Sequence, residues 1–118
     1  MKIKILLLFI ISSALLVSCG EREDRKSITI TDFSKSFSDT LYPNENSTYA
    51  MMNIWVKGFV NDTILIKLRS KDSEPILKLK GEINERWYTE YYGEGKRIVI
   101  FEPYKATEGK LEIKYGLY

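Results

Sequence analysis

"YAMMNIWVKGFVNDTILIKLR", Tyr49 to Arg69, is the stretch on which the fold turns. Ile64, Ile66 and Leu68 alternate with Leu65, Lys67 and Arg69, the period of two that puts successive side chains on opposite faces of a strand. In the middle stand Asn61 and Asp62, whose side chains tolerate positive φ, so the stretch predicts a β-hairpin turning at that pair. Gly58 predicts either room for a neighbouring group or a bulge.

The same pattern extends outward in both directions. "SKDSEP", Ser70 to Pro75, reads as a turn, and "ILKLKGEI" sets Leu77 and Leu79 against Lys78 and Lys80, as on an exposed sheet edge or outer face. "RWYTEYY" and "KRIVIFE", on either side of Gly93 to Gly95, predict a second hairpin. "KLEIKYGLY" places Leu111, Ile113, Tyr115 and Leu117 on one face and Glu112, Lys114 and Tyr118 on the other. Upstream, Ser27 to Phe33 alternates Ile28 and Ile30 with Thr29 and Thr31, whereas Ser34 to Ser47 has the composition of a long surface loop, with a brief strand at Thr40 to Tyr42. No stretch after Gly20 keeps a helical period; a single turn at Tyr104 to Glu108, ended by Gly109, is the one helical expectation.

Six or seven strands at this spacing, joined by Gly, Asn, Asp and Pro turns, predict an all-β fold, an antiparallel β-sandwich or small barrel. The expected core is Trp55 or its neighbour Val56, with Ile64, Ile66, Leu79, Val99, Phe101 and Ile113; the face Trp55 takes sets the register. The pattern resembles small immunoglobulin-like and transthyretin-like lipoprotein domains, without the Cys, Trp, Cys spacing of true immunoglobulin domains.

The chain has 118 residues, one domain's worth, with 44% hydrophobic and 29% charged residues. Its formal charge of +2 comes from Lys2 and Lys4, since downstream of Gly20 acidic and basic residues balance. A balanced segment without a basic cluster argues against an electrostatic hold on nucleic acid.

Lys2 and Lys4 precede an apolar run, Ile5 to Val17, broken only by Ser12 and Ser13. A spanning helix needs about 20 apolar residues, whereas a secretory signal carries about 7 to 15 behind a positive start. Residues 1–18 therefore read as a signal peptide. The lone cysteine follows, and Leu16, Val17, Ser18 and Cys19 resemble the lipobox of bacterial lipoproteins. That resemblance implies a diacylglyceryl group on the Cys19 sulfur, cleavage before Cys19 and stable anchoring through two or three acyl chains, palmitate-like, where a single chain holds only marginally. Gly20, in place of Asp, implies the outer membrane of a Gram-negative bacterium, facing either the periplasm or the outside; Glu21, Glu23 and Asp24 resemble a surface-export signal, but a solvated flexible tether explains the same charges and is the preferred reading. The expected organisation is a signal peptide at 1–18, a lipidated flexible tether at 19–27 and a β-sandwich domain at 28–118.

With no His, and with the sole Cys committed to lipid, neither the usual zinc site nor a Ser-His or Cys-His nucleophile can be assembled. "YYGEGK", Tyr91 to Lys96, lacks the spacing and following helix of a phosphate loop. Nothing pairs Glu82, Glu85, Glu90, Glu94 and Glu102 as a glycosidase would need, and Asp72 to Glu74 lack the spacing of a calcium loop. No catalytic residue, metal or cofactor is expected. The candidate binding residues are Trp87, Tyr88, Tyr91 and Tyr92. Within a strand, Trp87 and Tyr91 share one face and Tyr88 and Tyr92 the other, so that one pair is core and the other is free to stack on a sugar or anchor a protein, although strand packing alone also favours aromatics. Thr40 and Thr63, in Asp-Thr-aliphatic triplets, resemble bacterial O-glycosylation acceptors; the eukaryotic sequons at Asn46 and Asn61 are uninformative beside a lipobox. The expectation is a lipid-anchored, non-enzymatic binding or interaction module with a protein or glycan ligand. Its alternatives are an inhibitor or immunity protein against a toxin or wall-degrading enzyme, and a glycan-acting enzyme.

Overall fold

The computed structural model describes residues 22–118 and is an all-β, antiparallel sandwich closed in the manner of a barrel. Its strands are β1 (Arg25–Ile30), β2 (Phe37–Leu41), β3 (Met51–Leu68), β4 (Pro75–Glu90), β5 (Arg97–Glu102) and β6 (Gly109–Leu117). Hydrogen bonding runs β1-β6-β3-β5-β2, with β4 on the other edge of β3. The signal peptide and Cys19 lie outside the described residues.

The long strand β3 organises everything else. Met52 to Val60 pair with β6, Leu65 to Leu68 pair with β5, and β4 follows β3 through both parts. The β3–β4 hairpin is thus shared by two leaves, β1-β6-β3-β4 and β2-β5-β3-β4. Met52, Ile54, Val56, Val60, Ile64 and Ile66 are fully buried along its inner side, against Leu111, Ile113 and Leu117 of β6 and Val99 and Phe101 of β5.

The hairpin predicted at Asn61-Asp62 does not form there. The chain runs on through a register shift between Val60 and Ile64, and the reason is a partner remote in sequence. Asn61 Oδ1 accepts from the backbone N–H of Thr107 (2.9 Å) and Glu108 (3.2 Å), while its Nδ2 donates to Thr107 Oγ1 (2.7 Å). Thr63 O accepts from Lys105 N. The polar pair therefore tethers the β5–β6 connection where β3 changes leaf. The true hairpin turn is the Ser70–Pro75 segment, where Arg69 adopts φ 77° and Ser73 N bonds Ser70 O.

Four further expectations are corrected. "ILKLKGEI" and Arg86 to Glu90 of "RWYTEYY" belong to one strand, β4, which is an edge as expected. The second hairpin is absent, because β4 ends on one leaf and β5 belongs to the other; Gly93 to Gly95 lie in the crossing between them. The segment read as a loop contains β2, longer than the expected Thr40 to Tyr42. Pro103 to Ala106 form a turn closed by the bond from Ala106 N to Pro103 O, and no helix occurs among the described residues.

The segment read as tether, 19–27, is divided. Residues 19–21 lie outside the described residues, but Asp24 is buried and β1 begins at Arg25. Asp24 accepts from Tyr49 Oη (2.8 Å) and Arg22 Nε (3.1 Å), and its carbonyl receives Leu117 N (2.8 Å), so the domain starts before residue 28.

Candidate functional site

The phase of β3 settles where Trp55 points. Met52, Ile54 and Val56 face inward, so Asn53, Trp55, Lys57 and Phe59 face outward on the first leaf. Trp55 lies opposite Lys114 on β6 and Arg86 on β4, Lys57 opposite Glu112 and Asn84, and Asn53 opposite Gly116 and Tyr88. Of the two residues offered for the core, Val56 takes the place and Trp55 belongs to the outer surface.

Across that surface runs a continuous row of cations and aromatic rings. The Arg25 guanidinium stands 3.9 Å from the centroid of the Tyr118 ring. Tyr118 meets Trp55 edge to face at 5.5 Å. Arg86 lies 5.8 Å from Trp55 and 4.8 Å from Tyr88. Each such contact is worth about 0.5–1 kcal/mol at exposed sites, but their main effect is geometric. Arg86 is further fixed by two bonds, Nε (2.9 Å) and Nη2 (2.7 Å), to Oδ1 of buried Asn53. Two cavities flank Tyr118. One of about 410 Å³ is lined by Trp55, Lys57, Asn84, Glu112, Lys114 and Tyr118. The other, of about 760 Å³, reaches across β1 to Arg25, Lys26, Phe37 and Asp39.

Beneath the second cavity is a polar knot. Asp39 of β2 accepts from Tyr115 Oη (2.6 Å) and Lys26 Nζ (3.2 Å), joining the open edges of the two leaves. Burial pushes the Asp39 carboxyl up, but the bonds from Tyr115 and Lys26 outweigh it and hold the group below the usual carboxylate range. Burial first, and then the bond to Asp39, raise the Tyr115 phenol well above its ordinary value.

The structure separates the four aromatics singled out from sequence. Tyr91 is fully buried, edge-on to Tyr49 at 5.7 Å, with its hydroxyl on Gly95 O (2.5 Å). Trp87 packs half-buried against the core beside Ile54. Tyr88 and Tyr92 are exposed, at 61% and 64%. Tyr88 joins the row described above, and Tyr92 lies beyond the end of β4. Thr40 and Thr63 are half-buried within β2 and β3. Of the carboxylates considered for glycosidase chemistry, Glu102 is paired with Lys67 (3.1 Å) and Glu94 with Arg97 (3.2 Å), on different parts of the fold. No group of His, Cys, Asp or Glu able to hold a metal occurs among the described residues.

Trp55, Tyr118, Arg25 and Arg86 were missed as site residues from sequence. The signal was present in part: Asn53 and Lys57 share the phase of Trp55, and Lys114 shares that of Tyr118.

No protein-family model and no curated protein matches the chain. Among solved structures it is similar to the Tobacco streak virus coat protein dimer, with a TM-score of 0.40 and 9% identity over 83% of this chain and 88% of that one. It is also similar to PirA, with a TM-score of 0.40 and 10% identity over 80% and 95%.

Proposed function

We propose that this chain is a lipid-anchored, non-enzymatic binding module of the Gram-negative cell envelope, held by Cys19. Its ligand surface is the outer face of β1-β6-β3-β4, and the ligand is a saccharide carrying negative charge. The observation that carries the ligand reading is the Arg25, Tyr118, Trp55, Arg86, Tyr88 row beside an open cavity. Aromatic side chains offer an apolar body to the C–H face of a sugar ring. Asn84, Glu112, Lys57 and Lys114 around the cavity supply groups for hydroxyls. Arg25, Arg86, Lys57 and Lys114 outnumber the carboxylates on this face, which favours uronate or phosphate substituents. The anchor rests on the lipobox at Leu16 to Cys19, and the missing histidine supports a binding role over an enzymatic one.

The test uses the mature lipoprotein extracted in detergent, titrated with neutral and acidic oligosaccharides. Acidic sugars are expected to bind more tightly, with an affinity that falls as salt rises. Trp55→Ala and Tyr118→Ala are each expected to weaken binding about tenfold, the equivalent of about 1.4 kcal/mol. Binding that ignores both substitutions overturns the assignment of the face, and product release from the sugar overturns the non-enzymatic reading. Cys19→Ala is expected to free the protein from envelope membranes; continued sedimentation with them refutes the anchor.

A further inference from the structure

We propose that two copies of this chain pair edge to edge through β4, antiparallel about a two-fold axis at Asn84, with Glu82 of each copy opposite Arg86 of the other. The inference does not rest on the ligand reading, although Asn84, Arg86 and Tyr88 take part in both.

Among the described residues, three strands are paired on one side only: β1, β2 and β4. The open edges of β1 and β2 face each other and are bridged by Lys26, Asp39 and the Tyr42 N to Glu23 O bond. Among the described residues, nothing of this kind covers the free edge of β4. It runs for 16 residues, and from Asn84 to Arg86 and from Tyr88 to Glu90 every side chain is exposed. Such an edge presents unpaired N–H and C=O groups to any strand that fits.

Edges are commonly blunted by charge, so the arrangement of charge on β4 decides what can pair. In an antiparallel ladder about a two-fold axis normal to the sheet, opposed residues lie on the same face. With the axis at Asn84, Glu82 opposes Arg86 and Lys78 opposes Glu90, each twice by symmetry. Lys80 opposes Tyr88, and Trp87 falls opposite Gly81, where nothing lies within 4 Å of a Cβ position. No like charges meet.

Every neighbouring register is worse. An axis at Glu82 sets Glu82 on itself and Lys78 against Arg86. At Ile83 it sets Lys80 against Arg86, at Glu85 it sets Glu85 on itself, and at Arg86 it sets Arg86 on itself and Glu82 against Glu90. Like charges directly opposed are destabilising, so the charge pattern rejects these four; axes at Gly81 and Tyr88 also oppose no like charges, but each forms one kind of attractive pair, Lys80 with Glu82 or Arg86 with Glu90, where the axis at Asn84 forms two. Lys78, Lys80, Glu82 and Glu90 form no ion pair within the chain among the described residues. Arg86 is held by Asn53 through Nε and Nη2, which leaves Nη1 for a carboxylate across the axis.

The experiment is disulfide cross-linking of the full chain in intact cells. Asn84→Cys places two thiols across the axis, and Thr29→Cys, exposed on β1, is the control. Asn84→Cys is expected to give a disulfide-linked dimer at least tenfold more abundant than Thr29→Cys. In the Asn84→Cys background, Glu82→Arg is expected to lower the yield about tenfold, having turned two attractions into two repulsions, and adding Arg86→Glu is expected to restore it. Equal cross-linking at positions 84 and 29 overturns the proposal, as does failure of the charge swap to recover the dimer in a protein whose circular dichroism is unchanged.

Discussion

Replacing Gly58 by Ala tests how tightly the two central strands of the first leaf are apposed. Gly58 lies opposite Leu111 with φ 142°, and a Cβ there would stand 2.0 Å from the Lys110 carbonyl oxygen. A carbon atom packs best about 3.5–4.0 Å from its non-bonded neighbours, and 2.0 Å is far inside that range, so β6 must retreat by about an ångström or more. Gly109 is its counterpart, with a Cβ position 2.2 Å from Phe59 O, so the strand cannot escape by tilting. Backbone strain at a positive φ costs about 1–3 kcal/mol, and loss of two ladder hydrogen bonds adds about 1 kcal/mol each. The expected loss is about 4 kcal/mol, a large share of the roughly 5–15 kcal/mol that holds a domain folded. Gly95 is the control, with φ 102° and nothing within 4 Å of its Cβ position, so that Ala there incurs the backbone strain alone. Urea unfolding followed by Trp55 and Trp87 fluorescence measures both. With a slope of about 1.5 kcal/mol per molar, Gly58→Ala should lower the midpoint by about 2–3 M and Gly95→Ala by about 1 M. Equal shifts would refute the argument from close strand approach.

Other substitutions probe the remaining parts. Asp24 and Asp39 both titrate below the ordinary 3.8 in the folded chain, burial being outweighed by Tyr49 and Arg22 for the first and by Tyr115 and Lys26 for the second. Their stabilisation is therefore complete above that ordinary value and is lost as pH falls through the lower folded values, so the urea midpoint should drop steeply below about pH 4 and less steeply in Asp39→Asn. Tyr115 is raised, so its contribution is complete below the ordinary phenol value of 10.0 and is lost as pH rises beyond it. Tyr115→Phe should flatten that alkaline slope and reduce stability by about 1–2 kcal/mol at neutral pH in the same titration. Ile66→Ala, at a fully buried site, should lower stability by about 2–5 kcal/mol in urea unfolding.

The strand inventory was legible because alternation is local, whereas the pairing was not, because it depends on partners far along the chain. Asn61 and Asp62 have turn chemistry, yet Asn61 spends its amide on Thr107 and Glu108, and no window around residue 61 contains them. Gly93 to Gly95 look like a hairpin turn for the same reason, although the chain there crosses between leaves with Tyr91 buried beneath it. Ser70 to Pro75 was read correctly as a turn because its bonds, such as Ser73 N to Ser70 O, are themselves local. Trp55 was ambiguous because β3 carries large apolar residues in both phases; polar Asn53 and Lys57 marked the outward one. Tyr88 emerged from the aromatic cluster with Arg86 two residues before it on β4, but the rest of the surface row comes from β1, β3 and the residue after β6, which only register brings together.

The two sides of the sandwich are closed by different means, and this bears on how the outer face works. Between β1 and β2 the leaves meet through side chains, with Lys26 and Tyr115 converging on Asp39, and through a backbone bond from Tyr42 to Glu23. On the opposite side, β3 and β4 pass from one leaf into the other, so that side opens only by breaking the ladder itself. Trp55 and Arg86 stand on these continuous strands, and Arg86 is locked to Asn53. A ligand laid across them meets rings and a guanidinium already in position, and so forfeits little side-chain entropy on binding. Arg25, by contrast, stands on β1, at the side closed by polar bonds. The row thus has a rigid end and an adjustable one, and its affinity should depend most on the residues of β3 and β4.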